Sequence, residues 1–296
     1  MEKNMTALVS CFARGYHYKN NKYCIFKDNL ADQILTKEEY EKIADSMVKG
    51  IEFFNPNFKG SKEEALRWII DNQLSPSVLG RSIFCEKSLL EAIKIGCKQY
   101  LIFAAGYDTF AYRYHLNNLE IFEIDKKDML EDKIRRLENI KIDYSKVNFL
   151  ECDFTKKNWI NIIINSNYKK DLISFSSLLG ISYYLEKEEF KKMLKDISNI
   201  ICNGSSIVFD YPTYEDSKET KINEKLASGA NEKMKAKYSY QEIENILEEN
   251  DLLIYEHLNN EEMTKTYFAK YNLLNPNNKI IAPKGVNYCL AIKNKK

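Results

Sequence analysis

At 296 residues the chain has room for one large α/β domain with additions, or two small domains, and it buries a substantial core without covalent help. Its 44 Lys and Arg against 43 Asp and Glu leave a formal charge of +1, spread along the chain, so no field steers it toward a phosphate backbone and nucleic acid is not an expected partner. Seven scattered cysteines without a C-x-x-C pair point to free thiols in a reducing compartment, and with no cationic leader at Met1-Glu2-Lys3-Asn4 and no apolar run near the roughly 20 residues of a membrane helix, the expected location is cytoplasmic, away from membranes.

The first 95 or so residues read as mostly helical, with apolar residues at three- and four-residue spacing over Lys37 to Phe54 and Lys62 to Asp71. Strand-length runs rich in Ile, Val, Phe and Tyr follow: Gln99 to Ala104, Glu120 to Asp125, Lys146 to Asp153, Asp171 to Leu179 and Ser205 to Tyr211. Charged stretches of helical period separate them, the clearest being Asp128 to Asn139 and Glu186 to Ile201. That alternation predicts a parallel sheet covered by helices. The chain is then polar from Thr213 to Lys237, as a lid would be, and gives a helix from Tyr240 to Glu249, a strand near Leu252 to His257 and a last strand near Asn287 to Lys293. No internal repeat or low-complexity linker divides it. The expectation is a single α/β domain over residues 1–296, Rossmann-like, with a seven-stranded mostly parallel sheet and helices on both faces. Its parts are a helical N-terminal cap (1–95), a cofactor-binding core (96–211), a lid insertion after strand 5 (212–240) and a C-terminal helix with strands 6 and 7 (241–296).

In an open parallel sheet a ligand binds beyond the carboxyl ends of the strands, where the strand order reverses. The first such loop here is Ala104-Ala105-Gly106-Tyr107-Asp108-Thr109. Gly106 can take a positive φ and let a cofactor lie against the backbone of Ala105 and Gly106, although a plain strand-to-helix turn would use the same residues. The second strand ends in Asp125, 19 residues after Gly106, a spacing at which a carboxylate accepts hydrogen bonds from a ribose diol; Asp at such a boundary also caps helices. A dinucleotide fingerprint needs further glycines where this chain has Asp108 and Phe110. Asp108 would repel a diphosphate yet accept hydrogen bonds from the ammonium of a cationic cofactor, which favours S-adenosylmethionine over NAD. Asp153, followed by Phe154, closes the third strand where side chains meet an adenine, and serves equally well as a helix cap. The fourth strand runs out in Ser176-Ser177-Leu178-Leu179-Gly180-Ile181-Ser182-Tyr183-Tyr184-Leu185, facing the transferred group. Tyr183 and Tyr184 are the candidate catalytic residues there, against the commoner packing role of half-buried tyrosine.

From about Thr6 to Tyr211 the chain resembles the leucine carboxyl methyltransferases and their bacterial relatives, O-methyltransferases of polyketide biosynthesis. The resemblance is strongest over Gln99 to Arg113, where a glycine turn is followed by Asp108-Thr109 and then Tyr112-Arg113. It implies a class I methyltransferase fold, S-adenosylmethionine as cofactor, S-adenosylhomocysteine as product, and a small-molecule or carboxylate methyl acceptor. It further implies a bidentate grip by Arg81 on the cofactor's methionyl carboxylate, with Arg14 approaching the same group. Asp125 and Asp153 fall where the family has its ribose and adenine contacts. Two positions depart: Leu178-Leu179-Gly180-Ile181 replaces a Trp-Glu-Gly-Val segment, so Leu179 stands at a cofactor contact without its acid, and Phe110 replaces a frequent Arg.

The mechanism expected is in-line transfer to oxygen, with the enzyme supplying alignment and a dry pocket. A carboxylate acceptor needs no base. A phenol or alcohol does, and His17 and His115 are nearest by chain position, though each also suits an exposed or capping role. No metal-ligand cluster is visible, so a divalent ion is not expected. Two other classes compete: an NAD-dependent oxidoreductase, against which the missing glycines argue, and a non-catalytic S-adenosylmethionine-binding protein with a degenerate acceptor site, which the change at Leu179 leaves open.

Overall fold

The computed structural model describes residues 5–114, 116–215 and 234–294. Ahead of the first strand come α1 (Met5–Asn20), α2 (Lys37–Lys49), α3 (Lys62–Ile69) and α4 (Ser75–Lys94). Sequence-local capping fixes two of the starts: Thr36 with Glu39, and Ser61 with Glu64, each form a capping box in which side chain and backbone exchange hydrogen bonds. The stretch of helical spacing from Lys37 to Phe54 is divided at Gly50, after which Ile51–Phe54 makes a single turn. A π-helical turn, Ile70–Leu74, joins α3 to α4.

Seven strands form one sheet in the order β3-β2-β1-β4-β5-β7-β6. They are β1 (Gln99–Phe103), β2 (Glu120–Asp125), β3 (Val147–Glu151), β4 (Ser174–Leu178), β5 (Ser206–Pro212), β6 (Leu252–Leu258) and β7 (Val286–Lys293). β1 to β5 pair in parallel, and β7 runs antiparallel to both β5 and β6. β1, β4 and β5 are buried at every residue, which is why they read as continuous apolar or small-residue runs rather than alternating ones. On one face Leu101, Phe103 and Ile124 pack with Phe190 and Leu194 of α6 (Lys187–Ser198). On the other, Ile102, Phe175 and Val208 pack with Leu79, Phe84 and Leu89 of α4. A third cluster lays Leu8 and Phe12 of α1 on Tyr107, so α1 rests on the loop that follows β1.

β3 stops at Glu151, two residues before the expected end at Asp153, and β4 begins at Ser174 rather than Asp171. Residues 216–233 of the expected lid lie outside the described residues. All seven cysteines are free thiols, and Cys11, Cys85, Cys97, Cys152 and Cys289 are buried. Among the described residues no helix is long and apolar enough to cross a membrane. Behind β2, Lys133 of α5 (Lys127–Asn139) meets Glu123 at 2.6 Å with both side chains at 0% exposure. The Tyr112 hydroxyl donates to the other Glu123 oxygen at 2.9 Å.

The π turn also buries an acid. Asp71 is 7% exposed and sits 3.3 Å from Arg67; burial pushes its carboxyl up to about 6, against the pull of that arginine. Because the folded value is raised, Asp71 favours the folded state below its unfolded pKa of about 4, and that contribution is lost as pH rises through the folded value. Asp71→Asn is therefore expected to leave stability unchanged near pH 4 and to raise it by about 2 kcal/mol at pH 8. Urea unfolding at the two pH values checks this, and a pH-independent difference would contradict it.

Candidate functional site

The chain leaves β1 for β2 and β3 on one side and returns from β3 to β4 on the other, so the connections part at β1 and a crevice opens at the carboxyl ends of the strands. A cleft of about 840 Å³ lies there, bordered by residues 104–108, Asp125, Arg14 and Arg81. Two residues of the turn after β1 have positive φ, Ala104 at 49° and Gly106 at 47°. A Cβ on Gly106 would meet the Ala7 Cβ at 3.4 Å and the Ala104 carbonyl oxygen at 3.9 Å, so backbone freedom rather than lack of space calls for glycine. The turn is closed by Asp108 N–H donating to the Ala105 carbonyl at 2.8 Å. Asp108 Oδ1 in turn accepts from Phe110 N–H at 2.8 Å.

Asp125 is tied to this turn. Its Oδ2 accepts from Gly106 N–H at 2.8 Å and its Oδ1 from Lys126 N–H at 2.7 Å. An ionised carboxylate has about four acceptor positions, so half of its capacity is left for a ligand. Burial raises its pKa above the usual carboxylate value, with the two backbone amides opposing.

Arg14 serves the cleft and the turn together. Its Nε donates to Asp28 Oδ2 at 2.8 Å and its Nη2 to the Tyr107 carbonyl at 2.6 Å. Asp28, with no exposed surface, also accepts from Thr109 Oγ1 at 2.8 Å and lies 3.5 Å from Arg113. Burial by itself would raise the Asp28 carboxyl, but Arg14 and Arg113 outweigh it and hold the group below its ordinary value. Arg113 continues the network to Glu86 of α4. On the far side of the cleft, Arg81 of α4 donates from Nη2 to Ser10 Oγ at 3.2 Å, and its Nη1 lies 3.8 Å from Asp210 of β5.

Phe154, Leu179 and Tyr184 also line the cleft, with Ser82, Ser177 and Lys235 near them. The Phe154 ring packs edge-on to Trp159, centroids 5.3 Å apart. The structure thus brings together Arg14, Arg81, Ala105, Gly106, Asp108, Asp125, Phe154, Leu179 and Tyr184. Two expected residues lie elsewhere. Asp153 follows the end of β3 and is not among the residues that line the cleft; its Oδ1 accepts from Thr155 N–H and Oγ1 at 3.0 and 2.7 Å in a local turn. Tyr183 is 6% exposed, and its hydroxyl donates to Asp210 Oδ2 at 2.9 Å beneath the cleft wall. His17 is also outside: it is fully buried in the cap, its Nε2 accepts from Ile25 N–H at 3.0 Å, and burial, with Arg67 nearby, pulls its pKa down to about 4. His115 lies outside the described residues. Among the described residues, no histidine lines the cleft, and no group of three or more His, Cys, Asp and Glu could hold a metal. Asp28, Ser10 and Asp210 carry no local signature, and sequence reasoning missed them.

A parallel sheet of this order, with an antiparallel seventh strand and a cleft walled by the glycine turn and the acid of β2, defines a Rossmann-like class I methyltransferase. The family model described as leucine carboxyl methyltransferase matches residues 7–198. The chain belongs to the leucine carboxyl methyltransferase family, and its cofactor is S-adenosylmethionine. It is 34% identical over 305 aligned positions, 99% of this chain and 98% of the relative, to YktD of Bacillus subtilis (strain 168), provisionally named an S-adenosyl-L-methionine-dependent methyltransferase. Two solved structures share the fold at 12% identity. One is a provisionally named methyltransferase from Thermobifida fusca YX, with a TM-score of 0.60 and 100% of this chain and 97% of that one covered. The other is a DUF574-family protein from Streptomyces avermitilis MA-4680, with a TM-score of 0.59 and 96% and 97% covered.

Proposed function

We propose that the chain methylates a carboxylate oxygen of a small-molecule acceptor, with Asp125 holding the cofactor's ribose and Arg81 and Arg14 its amino-acid tail. The observation that supports this most is that Asp125, pinned to the glycine turn, and Arg81 border one cleft, as a ligand with a diol and a carboxylate requires. The cleft volume lies within the range of small-molecule sites. Phe154 offers an apolar face on which a base would stack. Asp108 stands near enough to the turn to receive an ammonium.

When bound, S-adenosylmethionine supplies a methyl group already activated by its sulfonium charge. The chain's own residues have to orient, desolvate and admit. Leu179, Ile181 and Leu185 make the wall apolar, and Tyr184 and Lys235 line it with them; the Lys235 ammonium lies 3.9 Å from Glu189 Oε2, so an anionic acceptor would compete with that acid for it. A carboxylate reacts at neutral pH without a base, and the described part of the cleft presents no histidine to act as one.

Calorimetric titration with S-adenosylmethionine and S-adenosylhomocysteine, followed by turnover with panels of carboxylic acids and phenols, tests the reading. Arg81→Ala is expected to weaken S-adenosylhomocysteine by about tenfold or more. Turnover should be confined to the acids, with a rate nearly flat from about pH 6 to 9, because their carboxylates are ionised throughout. A wild type that binds neither ligand would refute the cofactor site. Phenol turnover that rises with pH would refute the acceptor class.

A further inference from the structure

The cation at the tail end of the cleft is not set by α4 alone. Asp210 lies within β5 with no exposed surface, and its carboxylate reaches beneath the turn that follows β4. Its Oδ1 accepts from Gly180 N–H at 2.7 Å and its Oδ2 from the Tyr183 hydroxyl at 2.9 Å, while its backbone carbonyl accepts from Ser182 Oγ at 2.7 Å. Across that turn stands Arg81, with Nη1 3.8 Å from Asp210 Oδ2. A Cβ at Gly180, where φ is +70°, would meet Arg81 Nη1 at 2.7 Å and Cζ at 3.2 Å, so the guanidinium lies against bare backbone. Ser10 holds Nη2 from α1. Backbone, acid and serine wall the guanidinium, and its remaining side opens into the cleft.

The two neutral hydrogen bonds do not explain why this residue is an acid. An asparagine could accept from Gly180 through its oxygen and donate to the Tyr183 hydroxyl oxygen through its amide, without the desolvation cost of a buried charge. What the charge adds is attraction for Arg81 from the side opposite the cleft. We infer that Asp210 is a positioning residue: with the Gly180 turn, it holds the Arg81 guanidinium in the orientation that receives the cofactor's carboxylate. This rests on the cofactor assignment proposed above.

The test separates the carboxylate end of the ligand from the nucleoside end. Wild type, Asp210→Asn, Arg81→Ala and the double variant are titrated with S-adenosylhomocysteine and with 5′-methylthioadenosine, which keeps the nucleoside and thioether but has no carboxylate. Asp210→Asn is expected to weaken S-adenosylhomocysteine about tenfold, to leave methylthioadenosine within about twofold, and to add nothing once Arg81 is alanine. Equal loss of both ligands would mean that Asp210 only supports the fold, and overturns the inference. So does unchanged S-adenosylhomocysteine affinity, or an effect additive with Arg81→Ala. If Asp210→Asn does not fold, Tyr183→Phe keeps the charge but releases Oδ2; a smaller loss confined to S-adenosylhomocysteine supports the inference, and any other pattern overturns it. A wild type that binds neither ligand overturns the cofactor assignment and this inference with it, and is recognised before any substitution is made.

Discussion

Asp125→Ala is expected to lower affinity for S-adenosylhomocysteine about a hundredfold in calorimetric titration, because a carboxylate bonded to a diol contributes charge-assisted hydrogen bonds worth about 1.5 to 3 kcal/mol each. The backbone amides of Gly106 and Lys126 would lose their acceptor at the same time, locally loosening the turn that borders the cleft. Asp125→Asn keeps one oxygen and should fall between the two. Since burial raises the Asp125 carboxyl, and the ionised form is the better acceptor, wild-type affinity should decline as the pH is lowered through that raised value. The sign for stability is opposite. A raised folded pKa means that the ionised group adds nothing to folding at neutral pH, so the alanine variant should lose binding while its unfolding midpoint moves little. A variant that binds as tightly as wild type would remove Asp125 from the site.

Lys133→Ala should cost about 3 to 5 kcal/mol at pH 7, because it leaves the Glu123 carboxylate buried without its cation. Burial against the opposing pull of Lys133 already pushes Glu123 up to about 7. Without the lysine it moves higher still, so at neutral pH the variant must either bury the bare carboxylate or bind a proton to it, and either one lowers stability. The sign follows from the raised value: the group's contribution is complete below its unfolded pKa of about 4 and is lost as pH rises, so the deficit of the variant should shrink at pH 5 and grow at pH 8. Replacing both partners by apolar residues, Lys133→Met with Glu123→Leu, should restore most of the loss, since a well-packed apolar pair is often no less stable than a buried ion pair. Glu123 is two residues before Asp125 on the same strand, so the single variant should also weaken cofactor binding by freeing α5 from β2. Urea unfolding across pH checks the stability claim, and a loss under about 1 kcal/mol at pH 7 would contradict it.

The sheet and the acid–glycine half of the site were legible because both rest on short-range pattern. Continuous apolar runs mark strands buried on both faces, and the step from Gly106 to Asp125 spans one β-strand connection. The misplacement of Asp153 is local too: β3 ends before it, and Thr155 two residues on supplies partners for a turn that no periodicity reveals. Of the adjacent Tyr183 and Tyr184, one enters the cleft and the other points to Asp210, a choice made by an irregular turn where neither the helical nor the strand period applies. Asp28 and Asp210 stayed hidden for a different reason. Their partners Thr109 and Arg81 are far off in sequence, and alone each looks like an ordinary cap or strand residue.

The sealed thiols give this protein a built-in clock for its own opening. Burial pushes Cys11 in α1 and Cys85 in α4 up to about 12 and raises Cys289 in β7 as well, so none of the three can meet an alkylating reagent until the segment around it parts. Cys24 and Cys202 are partly exposed and will be modified ahead of them. The order in which mass spectrometry finds the remaining sites labelled then tells whether the cap lifts away before the sheet comes apart, without a probe being introduced.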